Sequence, residues 1–132
     1  MPILVDSNVI FDVTNDDPVW ADWSDAQITS LQSDGLLVNP LIYTELCTQA
    51  SATAEVDTLL ASLKLELQEL PREALFLAAK AFLKYRRQGG TKTAPLPDFF
   101  IGAHAQTLGI SILTRDAGRY ASYFPDVALI CP

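Results

Sequence analysis

Five short apolar runs punctuate this chain, and each is separated from the next by a segment of helical character. They are Ile3-Leu4-Val5, Leu36-Leu37-Val38, the alternation of Leu63, Leu65 and Leu67 with Lys64 and Glu66, then Ile110–Leu113 and Val127–Ile130. Runs this short, bounded by turn residues, read as strands, and the alternating one reads as a strand with one wet face. Strands interleaved with helices pair in parallel, because parallel neighbours need a crossover long enough to hold a helix. The expectation is an α/β layered domain around a mainly parallel, five-stranded sheet.

The intervening segments carry their own start and stop signals. Asp6-Ser7-Asn8 is a helix-cap cluster directly after the first run. A helix is expected over about Asp22–Ser33, stopped by Gly35, and another opens at Asn39-Pro40 and carries Ile42, Glu45 and Leu46. Between Ser51 and Leu63, the residues Val56, Leu59, Leu60 and Leu63 fall on one helical face. Pro71 opens a long helix with Leu75, Ala78, Ala79 and Phe82 on one stripe, running to Arg87 before Gly89-Gly90. The loop Thr91–Pro97 leads to a helix from Asp98 to Leu108, ended by Gly109, and a short helical stretch covers Asp116–Phe124. No repeat, low-complexity tract or linker interrupts the 132 residues, so residues 1–132 are expected to form one domain.

The charge is unevenly placed. Sixteen acids against nine Lys and Arg leave a net charge of −7, yet residues 1–63 hold ten of the acids and no basic residue. Such a balance excludes a protein that holds nucleic acid by bulk electrostatics, while leaving room for a local basic patch. A 49% hydrophobic and 19% charged composition is that of a globular chain rather than a disordered one. Cys47 and Cys131 are too few for a disulfide framework. The opening Met-Pro-Ile-Leu-Val meets Asp6 at once, unlike a signal peptide, and no apolar run nears the roughly 20 residues of a membrane helix. The expected location is the cytoplasm, with no membrane partner.

Three acids fall close to where an open parallel sheet builds its sites, beyond the carboxyl ends of strands, and a fourth starts a helix. Asp6 follows Ile3-Leu4-Val5, and Asp116 follows Ile112-Leu113-Thr114 after Arg115. Glu45 lies in the helix after Leu36–Val38, and Asp98 starts a helix after Pro97. Taken singly, each has an ordinary explanation: an N-cap for Asp6, Asp98 or Asp116, a solvated helix residue for Glu45. Taken together, acids brought by separate elements to one edge repel one another unless a cation joins them. Oxygen ligands without His or Cys suit Mg²⁺ or Mn²⁺.

Four segments carry a resemblance across residues 3–125: Ile3-Leu4-Val5-Asp6-Ser7-Asn8-Val9-Ile10, Tyr43-Thr44-Glu45-Leu46, Pro97-Asp98-Phe99-Phe100-Ile101-Gly102-Ala103-His104-Ala105, and Ile112-Leu113-Thr114-Arg115-Asp116 with Arg119-Tyr120 and Tyr123-Phe124-Pro125. In this order the chain resembles the PIN domain, and in particular the VapC-like toxin ribonucleases of type II toxin–antitoxin pairs. The resemblance implies a three-layer α/β/α domain that cuts RNA phosphodiester bonds with metal-activated water. It implies that Asp6, Glu45, Asp98 and Asp116 bind one or two Mg²⁺ or Mn²⁺ ions, with Asn8 and Thr114 as accompanying catalytic polar residues. It also implies a cognate antitoxin protein, which would pair an Arg or Lys with the acids, and a homodimer. The segment departs from the family pattern at Ala117-Gly118-Arg119, where many relatives carry a further acid, and this bears on the second ion.

Several other residues need weighing. His104 lies 240° around the helix from Asp98 and reads as structural. Gly102 and Ala105 share the face of Asp98 and would let the helix approach the sheet. Trp20 and Trp23 read as core or dimer packing. Lys84, Arg87 and Lys92 lead toward Asp98 and are candidates for binding the substrate's phosphates. RNA preference is expected to lie in loops such as Asp12–Asp25 and Gln88–Ala94. Two alternatives to the ribonuclease stand: a PIN-like binding or assembly module without catalysis, and a metal-dependent phosphatase. A phosphatase of the haloacid dehalogenase kind would need a second acid where Asn8 stands, and a receiver domain would need an Asp where Gln68-Glu69-Leu70-Pro71 follows the third strand. If the acids only repel one another without metal, Asp98→Asn is expected to be neutral or stabilising.

Overall fold

Each apolar run becomes a strand, and every neighbouring pair is parallel. The computed structural model describes residues 1–93 and 96–132. Ala94, the last residue of the Gln88–Ala94 loop expected to influence RNA preference, and Pro95 lie outside the described residues. In chain order the elements are β1 (Ile3–Val5), α1 (Ser7–Thr14), α2 (Ala21–Leu31), β2 (Leu36–Val38), α3 (Pro40–Cys47), α4 (Thr53–Leu63), β3 (Leu65–Leu67), α5 (Arg72–Arg87), α6 (Pro97–Leu108), β4 (Ser111–Leu113), α7 (Gly118–Ala121) and β5 (Leu129–Ile130). The sheet order is β3-β2-β1-β4-β5. Right-handed crossovers put the helices linking β1 to β2 to β3 on one face and those leading to β4 and β5 on the other. The result is a three-layer α/β/α domain, with β1 and β2 buried at every position, as strands covered on both sides must be.

Two boundaries have clear local causes. Gly109 ends α6 in the left-handed conformation (φ 65°) and turns the chain into β4. Lys64 does the same for α4 (φ 59°), without the freedom of a glycine. The third apolar run therefore divides: Leu63 stays in the helix, and the strand begins at Leu65, which is buried while Leu67 is exposed.

The buried stripe of α5 differs from the one the sequence suggests. Ala74, Ala78 and Ala81 are buried, whereas Leu75 is 44% exposed and Ala79 is exposed. The helix packs along α6, and small side chains on the shared face let the two backbones come close. Larger residues are turned to its edges, where Phe82 and Tyr85 meet Phe99 with ring centroids 6.3 and 5.7 Å apart.

Gly102 also has a partner other than the expected one. A Cβ there would overlap the buried ring of Phe124, in the segment after α7, rather than a strand. Gly102→Ala is expected to lower stability by about 1–2 kcal/mol in urea unfolding, since overpacking costs ~1–3 kcal/mol and better helix propensity returns up to ~1. An unchanged midpoint would show that the Phe124 ring moves aside freely.

Candidate functional site

The sheet order sets where the acids can meet. The chain leaves β1 toward β2 and returns to β4 on the other side of β1, so a crevice opens at the carboxyl ends of β1 and β4. Asp6 leaves β1 with its backbone N–H donating to the Leu113 carbonyl at 2.9 Å, and Thr114 follows β4. Glu45 comes from α3 and Asp98 from the first turn of α6.

Asp6 is fully buried and heavily hydrogen-bonded. Its carboxylate accepts from the Tyr120 hydroxyl at 2.7 Å, from Thr114 Oγ1 at 2.9 Å, from Arg119 Nη1 at 3.1 Å and from Asn8 Nδ2 at 3.4 Å. Asn8 and Thr114 are themselves joined, Asn8 Nδ2 donating to Thr114 Oγ1 at 3.2 Å. Backbone N–H groups of the next two residues complete the frame: Arg115 N donates to Asn8 Oδ1 at 3.2 Å and Asp116 N to Thr114 Oγ1 at 3.0 Å. The two polar residues thus orient one carboxylate and tie the loop after β4 to α1.

One guanidinium joins the acids. Arg119 Nε donates to Asp98 Oδ1 at 2.9 Å, Nη2 pairs with the same oxygen, and Nη2 also lies 3.8 Å from Glu45 Oε2. Glu45 accepts from Ser7 Oγ at 3.1 Å. Burial pushes the Glu45 carboxyl above its usual range, partly opposed by Arg119. Burial works against the charge on Arg119, but the pairing with Asp98 and Asp6 outweighs it and holds its pKa above the ordinary arginine value. Burial, followed by the adjacent Asp6 charge, raises the Tyr120 phenol, so it stays a hydrogen-bond donor.

Capping does not account for these acids. Asp6 precedes α1 without a side-chain cap hydrogen bond, and α6 and α7 follow Leu96 and Ala117, again without one. Asn39 shows the contrast, its Oδ1 accepting from Ile42 N at 3.0 Å. Of the four sequence candidates, the structure brings Asp6, Glu45 and Asp98 onto Arg119. Asp116 is exposed beside them and, among the described residues, takes no part in these ion pairs.

A second buried acid, Asp12, begins the stretch Asp12–Asp25 expected to influence RNA preference. Arg115 Nε and Nη2 donate to it at 2.6 and 2.9 Å, Ser24 Oγ donates at 2.6 Å, and the Arg115 guanidinium lies 5.4 Å from the Trp20 ring centroid. This clamp ties the α1–α2 pair to the loop that carries Asp116. Sequence reasoning gave Arg119 and Tyr120 no part beyond the resemblance, read Ser7 only as part of a helix-cap cluster, and placed Asp12 only in a stretch expected to influence RNA preference. A usable signal was present: Arg115 and Arg119 are the only basic residues after Lys92, and both sit where the chain leaves β4.

Lys84, Arg87 and Lys92 are exposed. Lys84 Nζ lies 5.9 Å from the Tyr123 ring, which meets Phe99 at 5.4 Å, next in sequence to Asp98. Lys92 donates its backbone N–H to the Tyr85 hydroxyl at 3.2 Å.

His104 is fully buried and away from the acids. Asn39 Nδ2 donates to its Nδ1 at 3.1 Å, which leaves the proton on Nε2, an atom without a partner among the described residues. Burial lowers its pKa. The unfolded chain therefore binds a proton more readily, so the His104 contribution is complete above about pH 6.5 and is lost as pH falls below it. Urea midpoints at pH 7.5 and 5.5 are expected to differ more for the natural chain than for His104→Gln. Equal differences would remove His104 from the acid sensitivity.

The donor set fits a hard divalent ion in its chemistry: three carboxylates, all oxygen, converge on one positive group. With the side chains as placed, no group of three acids, His or Cys among the described residues is gathered closely enough to hold an ion. The cation they share is Arg119.

Comparisons with known proteins identify the fold. The description of the PIN domain matches residues 3–124. No curated protein matches. Among solved structures, the chain is similar to VapBC2 from Rickettsia felis, bound to a DNA fragment from its promoter, with a TM-score of 0.74 and 14% identity over 99% of this chain and 98% of that one. VapBC-1 from nontypeable Haemophilus influenzae gives 0.71 at 15% identity, covering 99% and 98%. FitAcB from Neisseria gonorrhoeae gives 0.68 at 20% identity, covering 97% and 96%.

Proposed function

The chain belongs to the PIN domain family, and from that premise we propose that it is a divalent-metal-dependent endoribonuclease, the toxin of a toxin–antitoxin pair. The observation that carries the reading is the meeting of Asp6, Glu45 and Asp98 at the crevice between β1 and β4, with Asn8 and Thr114 orienting Asp6. The likeness in fold to complexes described as VapBC and FitAcB supports the toxin assignment and a protein antitoxin as partner. We take residues 1–132 as one domain, working in the cytoplasm as a homodimer. No described helix is long and apolar enough to cross a membrane.

In this reading Asp6, Glu45 and Asp98 hold one Mg²⁺ or Mn²⁺, and Asp116 is the candidate for completing the set or serving a second ion. When bound, the ion supplies a water of lowered pKa and withdraws charge from the phosphoryl oxygens. The chain's own residues do the rest. Thr114, Tyr120 and Asn8 fix the direction of the Asp6 lone pairs, and Lys84, Arg87 and Lys92 hold flanking phosphates.

The test is cleavage of a mixed RNA with Mg²⁺ or Mn²⁺ present, chelated, and restored. Cutting that disappears on chelation and returns with metal is expected. Absence of cutting with either ion would sink the ribonuclease, and turnover of a phosphomonoester instead would favour the phosphatase. One observation favours the non-catalytic module: Arg119 offsets part of the acids' charge without metal, so their presence alone is weaker grounds for an ion. That module would bind its partner yet leave RNA intact under every ion tried.

A further inference from the structure

We propose that Arg119 is a built-in counter-cation of the acidic cluster, which a divalent ion must displace, so that metal binding and Arg119 pairing are alternative states of one site. The inference rests on the metal-dependent reading above and says how this chain controls the ion.

The position of the guanidinium is the first argument. It contacts Asp6 at 3.1 Å, shares two nitrogens with Asp98 and reaches Glu45 at 3.8 Å, so it lies among the three carboxylates that would hold an ion. A guanidinium and a divalent ion cannot both occupy that place, because like charges at contact distance repel strongly in a partly desolvated crevice. Charge balance is the second. Three carboxylates face a single positive charge, and Glu45 is the one served worst, its contact at 3.8 Å lying beyond hydrogen-bond range. A doubly charged ion matches the cluster better.

The third argument is that Arg119 can leave without dismantling the frame. Asp6 keeps its hydrogen bonds from Tyr120 and Thr114, both to Oδ2, when the guanidinium departs. Arg119 projects from the four-residue helix α7, its side chain is 19% exposed, and Gly118 before it is exposed. Rotation about its own side-chain bonds is enough. Both arginines lie over an aromatic ring, Arg115 over Trp20 at 5.4 Å and Arg119 over Tyr120 at 5.6 Å, but Arg115 sends Nε and Nη2 to a single buried carboxylate. Arg119 is instead spread over three acids.

The experiment measures Mn²⁺ and Mg²⁺ binding by calorimetry on the full chain, as the natural protein, Arg119→Gln and Arg119→Lys. Arg119→Gln is expected to bind metal about 10- to 100-fold more tightly, with Arg119→Lys between the two, as a coupling of this size between competing cations implies. In the natural protein, Mg²⁺ titration followed by the Arg119 Nε–H resonance is expected to move that signal from its paired position with the midpoint of the binding isotherm, a readout that needs no variant to fold. Equal or weaker binding by Arg119→Gln, or an Arg119 signal unmoved at saturating Mg²⁺, overturns the displacement while leaving the metal-dependent reading in place. Metal binding by none of the proteins overturns both.

Discussion

Asp6→Ala is expected to cost about 3–5 kcal/mol of stability, the range seen when one partner of a buried ion pair is removed. For a chain of this size that is a drop in melting temperature of about 10 °C or more. The carboxylate is fully buried and receives four donors, from Tyr120, Thr114, Arg119 and Asn8. Truncation strands a buried phenol hydroxyl and leaves Arg119 with less compensation, and relief of repulsion with Glu45 offsets only part of this. Asp6→Asn keeps the shape and some of the acceptor capacity, so its loss is expected to be smaller. Thermal and urea unfolding of the two variants check the order. A loss under about 1 kcal/mol for Asp6→Ala would mean the cluster relaxes and water replaces the missing oxygens.

Asp98→Asn is expected to reduce metal-dependent RNA cleavage by more than about 100-fold, because even residues that only support metal ligands cost ~10–100-fold when removed. Its effect on folding is expected to be small. Asp98 is partly exposed, so its pair with Arg119 contributes about 1 kcal/mol or less after screening by solvent. The direction is nonetheless a loss, which corrects the expectation of a neutral or stabilising change: in the folded chain Asp98 faces a guanidinium as well as other acids. Cleavage rates over a metal titration, with melting curves beside them, separate the two effects. Cleavage retained within tenfold would remove Asp98 from the ion-binding set.

The gap in that expectation has a physical origin. Repulsion among Asp6, Glu45 and Asp98 was readable because strand ends and helix starts can be located from local pattern. The arginine that answers it comes from 113 positions away from Asp6. No local rule says that α7, a single turn between β4 and β5, aims one of its side chains back over the end of β1. The same limit explains α5, whose apolar residues nearly surround it: a stripe through Leu75, Ala79 and Phe82 and one through Ala74, Ala78 and Ala81 are equally acceptable to periodicity, and only contact with α6 selects the second. The end of α4 at Leu63 is where the sequence placed it, although Lys64 takes the left-handed conformation that glycine usually supplies.

By itself the sequence determined the alternation of strand and helix, the parallel pairing that follows from it, and the placing of three acids near strand ends and a fourth at a helix start. Those features depend on residues near one another in the chain, where propensity, periodicity and turn chemistry act. Only the tertiary structure decided that β4 lies beside β1, so that Thr114, Arg119 and Tyr120 close around Asp6 while Arg115 closes on Asp12. The first 63 residues carry ten acids and no cation of their own. Burying two of those acids became possible only when the fold brought two arginines across from the other end of the chain, because a charge leaves water at tolerable cost only with a partner in contact.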